Sequence, residues 1–165
     1  MQTSYKYDTL YGAPGGIVDL APHEIDTFAN EENNGVLKFG MGVVSGTAAA
    51  DQCKLPGGSS TAATFLGVVT NNRTTELGLD GQLYVRKGAA VGVMRYGRIY
   101  ARIDTGLTIA YGDKLYMCIA SGKYGLFTNS SSNSIEIQGR FLNFVDATNE
   151  VAEIELFNQA QVVPG

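Results

Sequence analysis

From Gly35 onward the chain is a succession of short Val/Ile/Leu/Tyr/Phe runs, each closed by Gly, Asn or Asp. The clearest run is 90–103. Val91 and Val93 share one face, Gly97 punctuates the run, and Arg98-Ile99-Tyr100-Ala101-Arg102-Ile103 alternates with a period of two. That period marks a half-buried strand. It predicts Ile99, Ala101 and Ile103 on the core side, with Arg98, Tyr100 and Arg102 facing outward or against a neighbour. Val151–Phe157 alternates in the same way, Ala152, Ile154 and Leu156 against Glu153 and Glu155. Further strands are predicted over 35–45, 64–70, 83–86, 114–119, 122–128 and 134–145, with a surface loop over 46–62. The glycines inside 35–45 suggest a bulge or a close backbone approach. Short segments with turns every 8–12 residues indicate an all-β body, a small barrel or sandwich of antiparallel strands. No helix longer than two turns is predicted.

Residues 1–34 follow a different pattern. Tyr5, Tyr7, Tyr11, Pro14, Gly15, Gly16 and Pro22 interrupt any sustained period, and Pro and paired Gly break both helix and sheet. Pro22 suits the first position of a short helical turn over Pro22–Asp26. The segment reads as an extended arm over 1–34 with aromatic anchors, followed by a body over 35–165. Its aromatic and aliphatic content argues against a purely solvated tail.

Composition narrows the classes. At 165 residues the chain is one domain's length, enough to bury roughly 70% of the surface of its unfolded form. Glycine is abundant, 21 residues, without a G-X-Y period, which fits many tight turns. The formal net charge is −4 and no stretch concentrates Lys and Arg. A nucleic-acid partner is therefore not expected, because such binding needs a basic face to displace counterions. No run approaches the ~20 apolar residues of a membrane helix, and 1–7 has no apolar core of a signal peptide. Synthesis in the cytoplasm and no membrane partner are expected. Cys53 and Cys118 are the only cysteines. Two free thiols are the expectation, with one long-range disulfide as the alternative.

Chemistry-bearing patterns are sparse. Asp104-Thr105-Gly106 matches the aspartic-protease tripeptide, but that chemistry needs two carboxylates sharing a proton, and the tripeptide occurs once, where a turn is expected. Gly40-Met41-Gly42-Val43-Val44-Ser45-Gly46 lacks the following helix that would hold a phosphate. His23 is the only His, and neither Ser45, Ser121 nor Cys53 has a local partner for nucleophilic catalysis. Asp26, Glu31, Glu32 and Asp51 lack calcium-loop spacing. No metal, cofactor or catalytic residue is predicted.

Several segments, in order, resemble a family of tailed-bacteriophage capsid cement, or decoration, proteins. Tyr11-Gly12-Ala13-Pro14-Gly15-Gly16-Ile17-Val18-Asp19 is similar to the family's "G-x-P-G" opening. Phe28-Ala29-Asn30-Glu31-Glu32 followed by Gly35-Val36-Leu37-Lys38-Phe39-Gly40-Met41-Gly42-Val43-Val44 resembles its "NEE…I-x-F-G-x-A-V-V" stretch. Phe65-Leu66-Gly67-Val68-Val69 is similar to "F-L-G-V". Val91-Gly92-Val93-Met94-Arg95-Tyr96-Gly97-Arg98-Ile99-Tyr100-Ala101 resembles "V-x-V-x-R-x-G-R-I-W-V". Gly112-Asp113-Lys114-Leu115-Tyr116 is similar to "G-D-x-V-Y". Gly139-Arg140-Phe141-Leu142 and Val151-Ala152-Glu153-Ile154-Glu155-Leu156 resemble the closing strands. Tyr100 stands where the family often has Trp.

The resemblance implies a virion protein on the capsid exterior, bound to a separate major capsid protein, without enzyme activity or cofactor. A homo-oligomer, a trimer by preference, goes with it. Arm residues Tyr5, Tyr7, Tyr11, Pro14, Ile17 and Val18, together with Arg98 and Arg102, are the candidate capsid or oligomer contacts, because aromatics and Arg are enriched in interfaces. The competing readings are another virion component, of tail or head–tail junction, or a glycan- or receptor-binding β-module.

Overall fold

The computed structural model describes residues 12–71, 76–77 and 83–158. Among them run eleven strands: β1 (Glu24–Asn30), β2 (Gly42–Ser45), β3 (Gln52–Lys54), β4 (Phe65–Val69), β5 (Glu76–Leu77), β6 (Leu83–Tyr84), β7 (Ala90–Arg102), β8 (Lys114–Cys118), β9 (Phe127–Thr128), β10 (Ser134–Phe141) and β11 (Val151–Leu156). One 3-10 turn, Ala62–Thr64, is the sole helical element among the described residues. The all-β expectation holds.

β1, β3, β2, β4 and β7 pair in that order, and β7 pairs back onto β1, closing a five-stranded barrel. β7 is long enough to serve two assemblies. Its first half pairs with β1 and β4, and its second half with β11, which leads on to β10, β8 and β9. A bridge between Ile103 and Phe127 returns β9 to the end of β7. That contact occupies what would otherwise be an open edge, the part of a sheet most prone to unwanted pairing. β5 and β6 form a separate hairpin.

Burial explains the continuous apolar runs of β2 and β4. Val43, Val69, Val91 and Val93 point into the barrel with Leu37, Cys53 and Val85. Val44, Phe65, Val68 and Met94 point the other way, into a second cluster with Leu115, Met117, Phe127, Phe141 and Ile154. Strands buried on both faces read as unbroken apolar stretches rather than as alternation. Among the described residues the second cluster holds seventeen buried residues against seven inside the barrel. At roughly 1.5–3 kcal/mol per fully buried large side chain, most of the apolar stabilisation that the described residues supply therefore lies outside the barrel. Gly42 permits this packing, since a Cβ there would lie 2.5 Å from the Met117 sulfur and 2.9 Å from the Phe127 ring.

Local corrections follow. Pro22–Asp26 is not a helical turn: β1 starts at Glu24 and pairs with β7, and Arg95 holds Glu24 at 2.9 Å and Asp26 at 3.4 Å. β1 lies within the stretch read as arm, yet β7 and β3 flank it on both sides. Of 35–45 only Gly42–Ser45 is strand; Leu37 leaves the surface to plug the barrel. The loop expected over 46–62 contains β3, whose Cys53 faces inward. The β1–β3 pairing is parallel, a departure from the antiparallel expectation.

Candidate attachment surface

The side of β7 beyond β4 is covered by an irregular strap rather than a strand. Gly15 donates to the Tyr100 carbonyl at 2.7 Å, Tyr100 to Gly16 at 2.9 Å and Val18 to Arg98 at 3.2 Å. Ile17 bridges Ile99 in antiparallel sense. Gly15 adopts φ +77°, and a Cβ there would lie 2.6 Å from the Asn71 nitrogen, so only glycine seats the strap this closely. Gly12 rests against the Tyr100 ring, where a side chain would collide. Burial raises the Tyr100 hydroxyl's pKa, as its first cause.

From Val18 the chain must cross β7, because the strap lies on one side and β1 on the other. It crosses at Gly97. A Cβ on Gly97, at φ +125°, would stand 2.6 Å from the His23 Cβ. This explains a glycine in the middle of the longest strand. The crossing presents Leu20 99% exposed, with Ile17 at 43%. Beside it a groove runs between Ala21–Pro22, Tyr96–Arg98 and Glu155–Asn158. Tyr96 and Phe157, 37% and 41% exposed, supply its aromatic walls.

A row of ion pairs fastens the strap. Arg98 reaches Asp19 at 2.8 Å and Glu155 at 3.4 Å, and Arg140 reaches Glu155 at 2.8 Å. The Ala21 amide and then Arg98 hold the Asp19 carboxyl below its ordinary pKa, against an opposing desolvation effect. The Arg140 guanidinium lies 5.7 Å over the Tyr111 ring, within cation–π range.

The predicted contact residues are thus distributed. Pro14, Ile17 and Val18 belong to the strap and Arg98 and Arg102 lie against it, while Tyr5, Tyr7 and Tyr11 lie outside the described residues. Pro14 packs on Gly40. Arg102 is half-buried, donates to the Phe39 carbonyl at 2.9 Å, and burial lowers its pKa. Its role within the fold is to tie 39–40 to β7. Ile99, Ala101 and Ile103 are buried and Arg98 and Arg102 are not, as the alternation predicts. Sequence reasoning missed Leu20, Asp19, Tyr96, Glu155 and Phe157. Leu20 carried a signal, an aliphatic residue in a Pro/Gly-broken stretch with no strand to bury it.

Asn30-Glu31-Glu32 is a clasp at one end of the barrel. Asn30, 1% exposed, donates to the Val85 and Arg86 carbonyls at 3.3 and 3.2 Å. Glu31 accepts from the Thr47 amide and hydroxyl at 2.6 and 2.7 Å, contacts that lower its pKa. Glu32 accepts from the Leu55 amide at 2.9 Å. Three consecutive residues therefore pin three different loops.

The remaining candidates take structural positions. Asp104 binds Lys123 at 2.7 Å and its carboxylate accepts from the Thr105 amide at 2.8 Å, the behaviour of a turn residue. His23 Nδ1 lies 3.0 Å from the Ala21 carbonyl oxygen. Cys53 and Cys118 are free and buried, and burial pushes their pKa up to about 12 and about 11, which suppresses the reactive thiolate. Among the described residues no cluster of three or more His, Cys, Asp or Glu is placed to hold a metal.

Comparison with known protein families matches residues 1–157 to the family described as structural cement protein (E217 gp24/Pam3 gp6). Among solved structures, a chain from the capsid of Myoviridae phage XM1 superposes with a TM-score of 0.73 at 17% identity, over 96% of this chain and 98% of that one. No curated protein matches.

Proposed function

Since the chain belongs to the structural cement protein family, we propose that it binds the exterior of a phage head through residues 1–18 and the crossing at Leu20. The observation that carries this reading is the family match over nearly the whole chain, joined to a fold shared with a phage capsid chain. The partner is the major capsid protein, and attachment follows synthesis in the host cytoplasm. The mechanism is mechanical linkage. Contacts that exist only in the assembled lattice stabilise that lattice by mass action, and a homo-oligomer, of which the trimer implied by the resemblance is one form, turns weak single contacts into avid ones. The strap supports the reading because it gives residues 1–11 a rigid base: the chain leaves that segment at Gly12, held on Tyr100. No catalytic step is assigned to Asp104, His23 or either cysteine.

The test is the heat stability of expanded shells of the major capsid protein, alone and saturated with this chain. Saturation raises the shell's melting temperature. Saturable binding with no rise contradicts a cement role and favours a receptor- or glycan-binding module; no binding at all contradicts both the partner and the role.

A further inference from the structure

β1 is paired along its length on one side only. β7 runs beside it from Glu24 to Ala29, whereas β3 meets it at Ala29 and Asn30 alone. In a strand, successive residues turn their N–H and C=O groups to opposite sides. The Asn30 amide donates to the Ala89 carbonyl, just before β7, and the Ala29 amide to the Asp51 carbonyl, just before β3. Even-numbered residues of β1 therefore face β7, and Ile25 and Thr27 turn their backbone groups outward. Among the described residues no backbone hydrogen bond reaches Ile25 or Thr27 from that side. Glu24, Ile25, Asp26 and Thr27 are all exposed, so this edge is open.

We propose that the edge accepts an extended, basic segment of the major capsid protein as an added strand. The partner's identity rests on the cement reading above; the edge adds where and how that partner pairs. Strand addition draws its affinity from main-chain hydrogen bonds and its selectivity from side chains. Here the side chains select by charge. Glu24 and Asp26 share the one guanidinium of Arg95, at 2.9 and 3.4 Å, and Asp51 stands where β3 departs. Three carboxylates against one cation leave the edge acidic, in a chain of net charge −4. Opposite charges stabilise cross-strand neighbours and like charges destabilise them. The carboxylates that admit Lys or Arg therefore also repel a second β1 edge, a common protection of open strands. Ile25, 39% exposed and lying against Gly92, offers an apolar contact between the charged positions. The edge also continues the proposed contact at the crossing, since β1 starts at Glu24, shortly after the exposed Leu20.

Amide exchange of the full chain, free and bound to expanded shells of the major capsid protein, tests this pairing. The Ile25 and Thr27 amides exchange freely in the unbound chain and slow by about tenfold or more on the shell. Thr27→Pro removes an outward donor and leaves the ladder to β7 intact, because proline is tolerated where an edge N–H faces solvent. It weakens attachment by about tenfold or more. Asp26→Lys, which reverses a charge without altering the backbone, weakens attachment as well, while Thr27→Val attaches like wild type. Attachment without slowing at Ile25 and Thr27, or undiminished attachment of both Thr27→Pro and Asp26→Lys, would overturn the pairing and leave the cement reading standing. No attachment of wild type would overturn both.

Discussion

The two halves of β7 share one strand and differ in what seals them. Residues 90–96 are flanked by regular strands, β1 and β4, and close a barrel filled by Val side chains, Leu37 and Cys53. Residues 97–102 have β11 on one side and the strap with Gly40 on the other, and their inner face meets the larger cluster with its two fully buried Phe rings. Cohesion and presentation thus meet in the second half. The inner face anchors the body, while the outer face carries the ion row, the groove and the segment that leads to residues 1–11.

The largest expected effect breaks the inner side. Phe127→Ala should cost about 3–5 kcal/mol in urea unfolding, whereas Val93→Ala in the barrel should cost about 2 kcal/mol. Equal losses would show that the barrel contributes as much as the larger cluster. Next comes the contrast across one face of the strand. Ile99→Ala should cost about 2–5 kcal/mol by leaving a cavity, and Arg102→Ala about 1 kcal/mol through its bond to the Phe39 carbonyl; the same loss from both would place Arg102 among the core supports.

Gly97→Ala probes the crossing. The left-handed backbone and the close His23 predict a cost of about 1–3 kcal/mol. Amide exchange should rise at Gly15 and Val18 before it rises in β11. Uniform acceleration across both would mean that the strap and body open as one unit.

The smallest effect is on pH. Asp19 and Glu31 have folded-state pKa values below their ordinary 3.8 and 4.5. Their ionised forms therefore favour the folded state. That stabilisation is present above the unfolded values and is lost as pH falls through the folded ones. An acid titration of Thr47 and Ala21 amide shifts should report midpoints below 4.5 and 3.8. Midpoints at or above those values would contradict the assigned contacts.

Much of the body was legible because its signal is local. The alternation in 98–103 and 151–157 predicted both strands and the buried faces of each. β1 was not legible: its first four residues are exposed, so no core face imprints a period, and its strand form comes from pairing with β7 and the Arg95 contacts. β3 is three residues long with one inward side chain, too short to alternate visibly. The glycines were seen as punctuation, but what each admits is tertiary: Met117 and Phe127 at Gly42, His23 at Gly97. Of the proposed attachment surface, the arm's apolar residues and Arg98 were candidates on the sequence alone. The row was not, because Asp19, Arg98, Glu155 and Arg140 become neighbours only through register.

The most direct test of the account compares the full chain with a version beginning at Gly12 for attachment to expanded shells. The truncated chain keeps Gly15–Val18 on β7, so its unfolding midpoint should match that of the full chain while its co-sedimentation with shells falls at least tenfold, the equivalent of 1.4 kcal/mol. Undiminished attachment of the truncated chain, with its fold intact, would contradict the role assigned to the arm.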